Sequence, residues 1–390
     1  MDILQTTGEI SGKAYNSYLQ AEKENGAKIA GYFCQVPVEV IQAAGLIPYR
    51  MRAVGSSGTT KGDIYYSPLN CTFTRHCFDR ALRGGFDFID AVIFMNGCDH
   101  TRRMYDNWRH AGKIHNINPD FLYMFVTPHI VDEYSMKRYV EEIRKFSRCL
   151  SERFGTEITN DLLLNSIKLF NKQRRLIAKI YEKRKSMKVA VKGSDILSMM
   201  LAVTAMPVDA ANDLLERIDA SLGDNPVPDK TDIRVLITGG CIEELDIIRI
   251  IEDCHAVVAA DNLCIGARYF DMEVDESGDP FESLAKRYLN KLSCPRILNA
   301  FDARMKHMND TIKNYRIDAV ITQKLKFCDL WGVENLMLIK ESKRTGFPLL
   351  ALERELYGEG IGQLKTRIQA FIEEVRNKKS GSGVHQSQTA

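Results

Sequence analysis

The sequence predicts an α/β protein made of two parallel-sheet halves joined by a helical segment. Three observations carry this. Short apolar runs of strand length alternate with helix-length stretches up to residue 133. Between 134 and 222 only helical spacing appears, and after 231 the alternation returns. The expected organisation is therefore an N-terminal α/β domain over 1–133, a helical connection over 134–230, a C-terminal α/β domain over 231–376, and a tail over 377–390 without fixed structure.

The elements follow in order. A helix is expected over 9–25, then a strand in Lys28–Cys34. Pro37 suits the first turn of a helix, where its missing N–H costs nothing, and Gly45 suits its end. Strands follow at 46–51, 91–95 and 121–126, with helices after Cys71 and over 98–111. In the middle segment Leu163, Ile167, Phe170, Ile177 and Tyr181 recur every three to four residues, the spacing of one helix face. Residues 171–192 carry nine Lys/Arg against one acid, Glu182, which reads as a solvated face, with a partner surface or an anionic ligand as the other possibility. Gly, Asn and two Pro make 221–230 a linker. The second half offers strands at 234–238, 256–261, 319–327 and 349–353, and helices over 303–315 and 361–376. Parallel strands covered by helices on both faces are the packing this alternation favours.

Composition excludes several classes. The 390 residues hold 53 basic and 51 acidic side chains, a net charge of +2, so nothing global favours nucleic acid. No run of about 18 apolar residues predicts a membrane span. The N-terminus lacks the basic start and apolar core of a signal peptide, which predicts a cytoplasmic protein.

Ten cysteines spread over the chain do not resemble a small disulfide scaffold. Their positions are more informative. In open α/β sheets ligands collect beyond the carboxyl ends of strands, where helix N-termini present free N–H groups. Cys71, Cys98, Cys241 and Cys328 fall at such corners, and Cys34 is a fifth. A thiol there is eased toward thiolate and becomes a metal ligand. Cys77, Cys149, Cys254, Cys264 and Cys294 lie in or beside apolar patterns, so burial is expected for them. No pair is spaced C-x-x-C, so zinc ribbons and ferredoxin-type clusters are not signalled. Ligands from 71, 98 and 328 converge only if the two halves face each other; otherwise they are unrelated buried thiols. Asp99, His76, His100, Arg102, Arg103, Asp261 and Arg268 flank these corners, with helix capping or surface exposure as the plainer reading of each.

Several segments together resemble the 2-hydroxyacyl-CoA dehydratase / benzoyl-CoA reductase family. They are N-C-T-F-T-R (70–75), N-G-C-D-H-T-R-R-M-Y-D (96–106) and K-F-C-D-L-W-G-V-E (326–334), with G-Y-F-C-Q-V-P-V-E-V-I-Q-A-A-G (31–45), A-A-D-N-L-C-I-G-A-R-Y-F (259–270) and G-I-G-Q-L-K-T-R-I-Q-A-F (360–371). G-C-I-E-E (240–244) and L-E-R-E (352–355) look more like the reductase branch. The resemblance implies two Rossmann-like or flavodoxin-like domains with Cys71, Cys98 and Cys328 holding one 4Fe–4S cluster in the cleft between them. It leaves the fourth iron to a non-cysteine group, water or substrate, with Cys34 as a further candidate.

The activity it implies is ATP-driven one-electron reduction of an aromatic acyl-CoA thioester. An electron added to the thioester carbonyl delocalises into the ring; a second electron and two protons give a cyclic dienoyl-CoA. The alternatives are a subunit of a 2-hydroxyacyl-CoA dehydratase, which removes water by radical chemistry, and a non-catalytic subunit that relays electrons. Since the chain shows no nucleotide-binding loop, the resemblance implies an ATP-hydrolysing activating partner and a paralogous cluster-bearing subunit.

Overall fold

A computed structural model describes residues 3–186, 191–222, 233–358 and 360–384. The chain opens with α1 (Ile3–Ser11) and α2 (Ser17–Glu24), not with the single helix expected over 9–25. Asn16 makes the break. Its side-chain oxygen caps α2 at the Leu19 N–H (3.2 Å), and its amide nitrogen donates to Ala205 O (2.8 Å), so the residue is claimed by tertiary structure and does not continue a helix. Next come β1 (Lys28–Tyr32), α3 (Val38–Ala43), β2 (Leu46–Arg50), α4 (Thr72–Leu82), β3 (Ala91–Met95), α5 (Asp99–His115) and β4 (Leu122–Phe125).

The middle segment is α6 (Glu133–Phe154), α7 (Asn160–Lys183), α8 (Gly193–Val203) and α9 (Val208–Ser221). Asp132 and Thr159 cap α6 and α7 by accepting from Ser135 N–H (2.7 Å) and Leu162 N–H (3.3 Å). The basic run on α7 is not a bare solvated face. Arg174 pairs with buried Glu39, Lys172 with Glu216 (2.9 Å), and Lys179 and Lys183 both with Asp219 (2.7 and 2.9 Å). Those cations bind helices to each other. The predicted linker falls almost wholly outside the described residues.

The second half runs β5 (Ile233–Gly239), α10 (Asp246–Asp253), β6 (Ala256–Asn262), α11 (Ala267–Phe270), α12 (Pro280–Leu289), α13 (Phe301–Tyr315), β7 (Ala319–Leu325), α14 (Asp329–Thr345), β8 (Leu349–Arg354) and α15 (Ile361–Val384). Helix α15 continues past the expected end at 376. Lys378 pairs with Glu374 one turn back (2.6 Å) and Lys379 with Asp318 (3.0 Å), so charges expected to solvate a tail extend the helix. Residues 385–390 of that expected tail lie outside the described residues.

Two four-stranded sheets result, in the orders β2-β1-β3-β4 and β6-β5-β7-β8, with every pairing parallel. The two orders are the same winding. In each, the chain leaves the first strand for one neighbour and then returns to its other side. The switch points therefore lie between β1 and β3 and between β5 and β7, where open α/β sheets place their ligands. Helices cover both faces of each sheet, and the buried aliphatic strands form the cores between them.

The lobes are not consecutive beads. After β6 the chain goes back over the first lobe, where Phe281, Leu284, Tyr288 and Leu289 of α12 join the core of β1, β3, α3, α6 and α7. There Glu39 receives Arg174 from α7 and the Tyr288 hydroxyl from α12 (2.9 Å), all buried. Helix α12 was missed in the sequence, although Asp279 as cap (3.0 Å to Glu282 N–H) followed by Pro280 is a readable helix start.

Candidate functional site

Each of the three predicted ligands is the residue immediately before a helix at the carboxyl end of a strand region. Cys71 precedes α4, Cys98 follows β3 and precedes α5, and Cys328 follows β7 and precedes α14. None uses its sulfur to cap its own helix. The thiols stand at three positive dipole ends, which favour thiolate charge.

His100, buried on α5, shows that the three corners meet. Its Nδ1 lies 3.0 Å from Asn70 Oδ1, to which it donates in one tautomer, and 3.4 Å from the Cys71 N–H, from which it accepts in the other. Its Nε2 sits 3.2 Å from Asp329 Oδ2, at ion-pair distance but without hydrogen-bond alignment. One imidazole thus touches the neighbours of all three cysteines. Tyr66 fixes it further by donating to the His100 carbonyl (2.6 Å). A second link ties the lobes here: the Leu356 N–H donates to the Thr72 hydroxyl at 3.1 Å.

The thiols sense one another. Cys71, leaning on Cys328 and buried, keeps its proton well above the usual thiol range, while Cys328 is eased toward thiolate by Cys71. Burial pushes the Cys98 thiol up, opposed by the Thr101 hydroxyl at 3.3 Å. Among the described residues no three His, Cys, Asp or Glu side chains converge as tightly as a single metal ion requires. Cys328 also opens onto a groove of about 650 Å³ lined by Lys324, Phe327, Val333 and Leu336.

The other corner cysteines separate. Burial, and then the Cys98 thiol, push Cys34 up to about 12, and its backbone takes a left-handed φ of 61°. Cys241 follows Gly239, whose φ of 147° and closeness to the Gln323 carbonyl exclude any side chain. Of the five cysteines expected in the core, Cys77 and Cys254 are buried, whereas Cys149, Cys264 and Cys294 keep accessible surface.

Most flanking candidates are structural. Exposed Asp99 pairs with Arg102 (3.1 Å), and His76 Nδ1 is held by Ser56 (2.8 Å). Asp261 is consumed by Tyr181 (2.7 Å) and the Ala267 N–H (2.8 Å). Arg268 does reach the crevice between the lobes: it touches Cys264 Sγ at 3.4 Å and lies 4.9 Å over the Trp331 ring of α14. The G-C-I-E-E and L-E-R-E segments meet. Glu244 pairs with Arg354, and Glu243 accepts from the Ala53 N–H (2.9 Å) and the Tyr357 hydroxyl (2.9 Å). Sequence reasoning passed over Arg50, the last residue of β2, because nothing local separates it from an arginine with a partner.

Among the described residues no helix is long and apolar enough to cross a membrane. Comparison with known proteins adds the following. The family profile described as 2-hydroxyglutaryl-CoA dehydratase, D-component, matches residues 33–375. A putative dehydratase subunit, YjiM, of Escherichia coli K12 is 26% identical over 90% of this chain and 92% of its own length. One of the benzoyl-CoA reductase subunits of Thauera aromatica is 25% identical over 88% and 89%. The beta subunit of (R)-2-hydroxyglutaryl-CoA dehydratase from Acidaminococcus fermentans is 23% identical over 90% and 93%.

Proposed function

Because the chain belongs to the 2-hydroxyglutaryl-CoA dehydratase D-component family, and resembles subunits of CoA-thioester reductase and dehydratase enzymes over most of its length, we propose that it is the 4Fe–4S subunit of a benzoyl-CoA reductase. Cys71, Cys98 and Cys328 would hold the cluster. The observation that carries this is the His100 contact set, which gathers Asn70, Cys71 and Asp329 from segments far apart in sequence. Three thiols at three helix ends suit a polynuclear inorganic core with one metal corner open. When bound, such a cluster supplies a low-potential electron to a thioester.

The remaining work falls to the chain itself. Helices α4, α5 and α14 present their N–H ends to negative charge. The lobes close over the thiols and limit water, with Thr72–Leu356 and His100–Asp329 holding them together. Leu69, Phe327, Val333 and Leu336 expose apolar side chains around Cys71 and Cys328, which supports a paralogous subunit on this face; an ATP-hydrolysing subunit would deliver the electron.

The reductase reading rests on the G-C-I-E-E and L-E-R-E segments, which pack on one another beside α4. A 2-hydroxyacyl-CoA dehydratase subunit is the second reading, favoured by the dehydratase subunits among the relatives. Anaerobic assay of the purified complex with ATP and its activating subunit decides between them. Conversion of benzoyl-CoA to a dienoyl thioester is expected. Loss of water from a 2-hydroxyacyl-CoA, with benzoyl-CoA untouched, would establish the second reading instead.

A further inference from the structure

Arg50 ends β2 at the switch-point side of the first sheet, paired in register with Tyr32. It is 5% exposed. Among other buried arginines, Arg174, Arg304 and Arg354 pair with Glu39, Glu334 and Glu244, whereas Arg52, Arg268, Arg287 and Arg296 donate to backbone carbonyls. Among the described residues the Arg50 guanidinium has neither an ion pair nor a hydrogen bond, and its Nε is fully enclosed without a partner. Its one side-chain neighbour of note is the Tyr32 ring, 5.5 Å away. A buried cation left unpaired is costly and is kept where something else supplies the counter-charge.

The surroundings say where that something enters. The Cys34, Cys241 and Cys264 thiols are within electrostatic reach of the guanidinium, and Cys34 is in turn within reach of Cys98. Cys34 and Cys241 both retain accessible surface, and the Cys34 sulfur lies beside Gly97, the residue before Cys98. Gln35, next to Cys34, adds a second enclosed polar atom without a partner, its Oε1. The left-handed backbone at Cys34 is the local strain that such sites store.

We propose that Arg50 is the receptor for the thioester carbonyl oxygen of the acyl-CoA, bound beside Cys34 and Cys98. This rests on the CoA-thioester reading above and adds the group that orients the reacting carbonyl. One electron from the low-potential donor adds to the C=O bond, breaks no bond and moves no proton. It leaves one unit of negative charge largely on that oxygen, facing a cation that is 5% exposed.

The test is binding to the full chain, purified anaerobically, with no electron donor present. Benzoyl-CoA and lactoyl-CoA are each titrated beside the thioether analogue in which CH2 replaces the carbonyl. Wild type is expected to prefer at least one thioester over its thioether by about tenfold or more, as a charge-assisted hydrogen bond gives. Arg50→Met should abolish that preference while thioether affinity stays. Arg50→Lys keeps the charge, guarding against a variant that fails to fold, and should retain only part of the preference. Arg50→Met should also raise the melting temperature, since it removes an unpaired buried charge. Equal preference in wild type and variants, or no preference in wild type, overturns the role of Arg50 and leaves the CoA reading standing. Absence of binding of every CoA compound to wild type overturns both.

Discussion

His100 Nε2 lies 3.2 Å from Asp329 Oδ2, so the second residue after Cys98 touches the first residue after Cys328 across the boundary between two separate sheets. Together with the Asn70 and Cys71 contacts at Nδ1, this makes His100 the joint of the site. His100→Ala should remove the hydrogen bond that Nδ1 makes here, either accepting from the Cys71 N–H or donating to Asn70 Oδ1 according to tautomer, and lower stability by about 1–3 kcal/mol in urea denaturation. Asp329→Asn should cost under about 1 kcal/mol, because Asp329 is 71% exposed. Equal losses would mean the imidazole is not the joint.

Iron and acid-labile sulfide content report directly on the ligand set. Cys71→Ala, Cys98→Ala and Cys328→Ala should each bring both to background in anaerobically purified protein. Cys241→Ala should leave them at the wild-type level. Iron lost with Cys241 and retained without Cys98 would transfer the centre to the other switch-point corner.

The Glu39–Arg174 pair is enclosed on all sides. Arg174→Met should cost about 3–5 kcal/mol, because it strands a buried carboxylate. Burial pushes the Glu39 carboxyl up, but Arg174 and then Arg287 outweigh it and hold it below the usual carboxylate range. A depressed carboxyl contributes its stability above the unfolded value of about 4.3 and loses it as pH falls through the folded value. Acid titration of Glu39→Gln should therefore show a shallower loss below about pH 4 than wild type.

Lys291 titrates in the opposite sense. Burial and then Arg287 lower its ammonium to about 7, with Asp271, at 2.6 Å, opposing. Between about 7 and the unfolded value of about 10.4, the unfolded chain holds a proton that the folded one does not, so stability rises with pH. Measured by urea midpoints from pH 7 to 9, wild type should gain on Lys291→Met by up to about 1.4 kcal/mol per pH unit. A gap that stays constant with pH would show Lys291 fully protonated throughout.

Most strands were legible as short buried runs bounded by turn residues, and the partly exposed edge strands β4 and β8 as short apolar runs of the same length. Corner positions for Cys71, Cys98 and Cys328 followed from those strands. What stayed hidden depends on contacts between distant segments. Asn16 breaks the first helix because Ala205 lies beside it, and α7 carries its cations for acids on other elements. Arg50 stands out only when its guanidinium is seen to meet no hydrogen-bond or ion-pair partner among the described residues. No local pattern distinguishes it from a strand-ending arginine with a partner.

The return of α12 over the first lobe constrains how the molecule moves. A clamshell needs a single hinge, but here the backbone passes between lobes on its way into β5, again on its way to α12, and a third time into β7. Such lacing resists wide gaping. A ligand would then enter along the rim of the closed form, and long slender molecules would be admitted more readily than bulky ones.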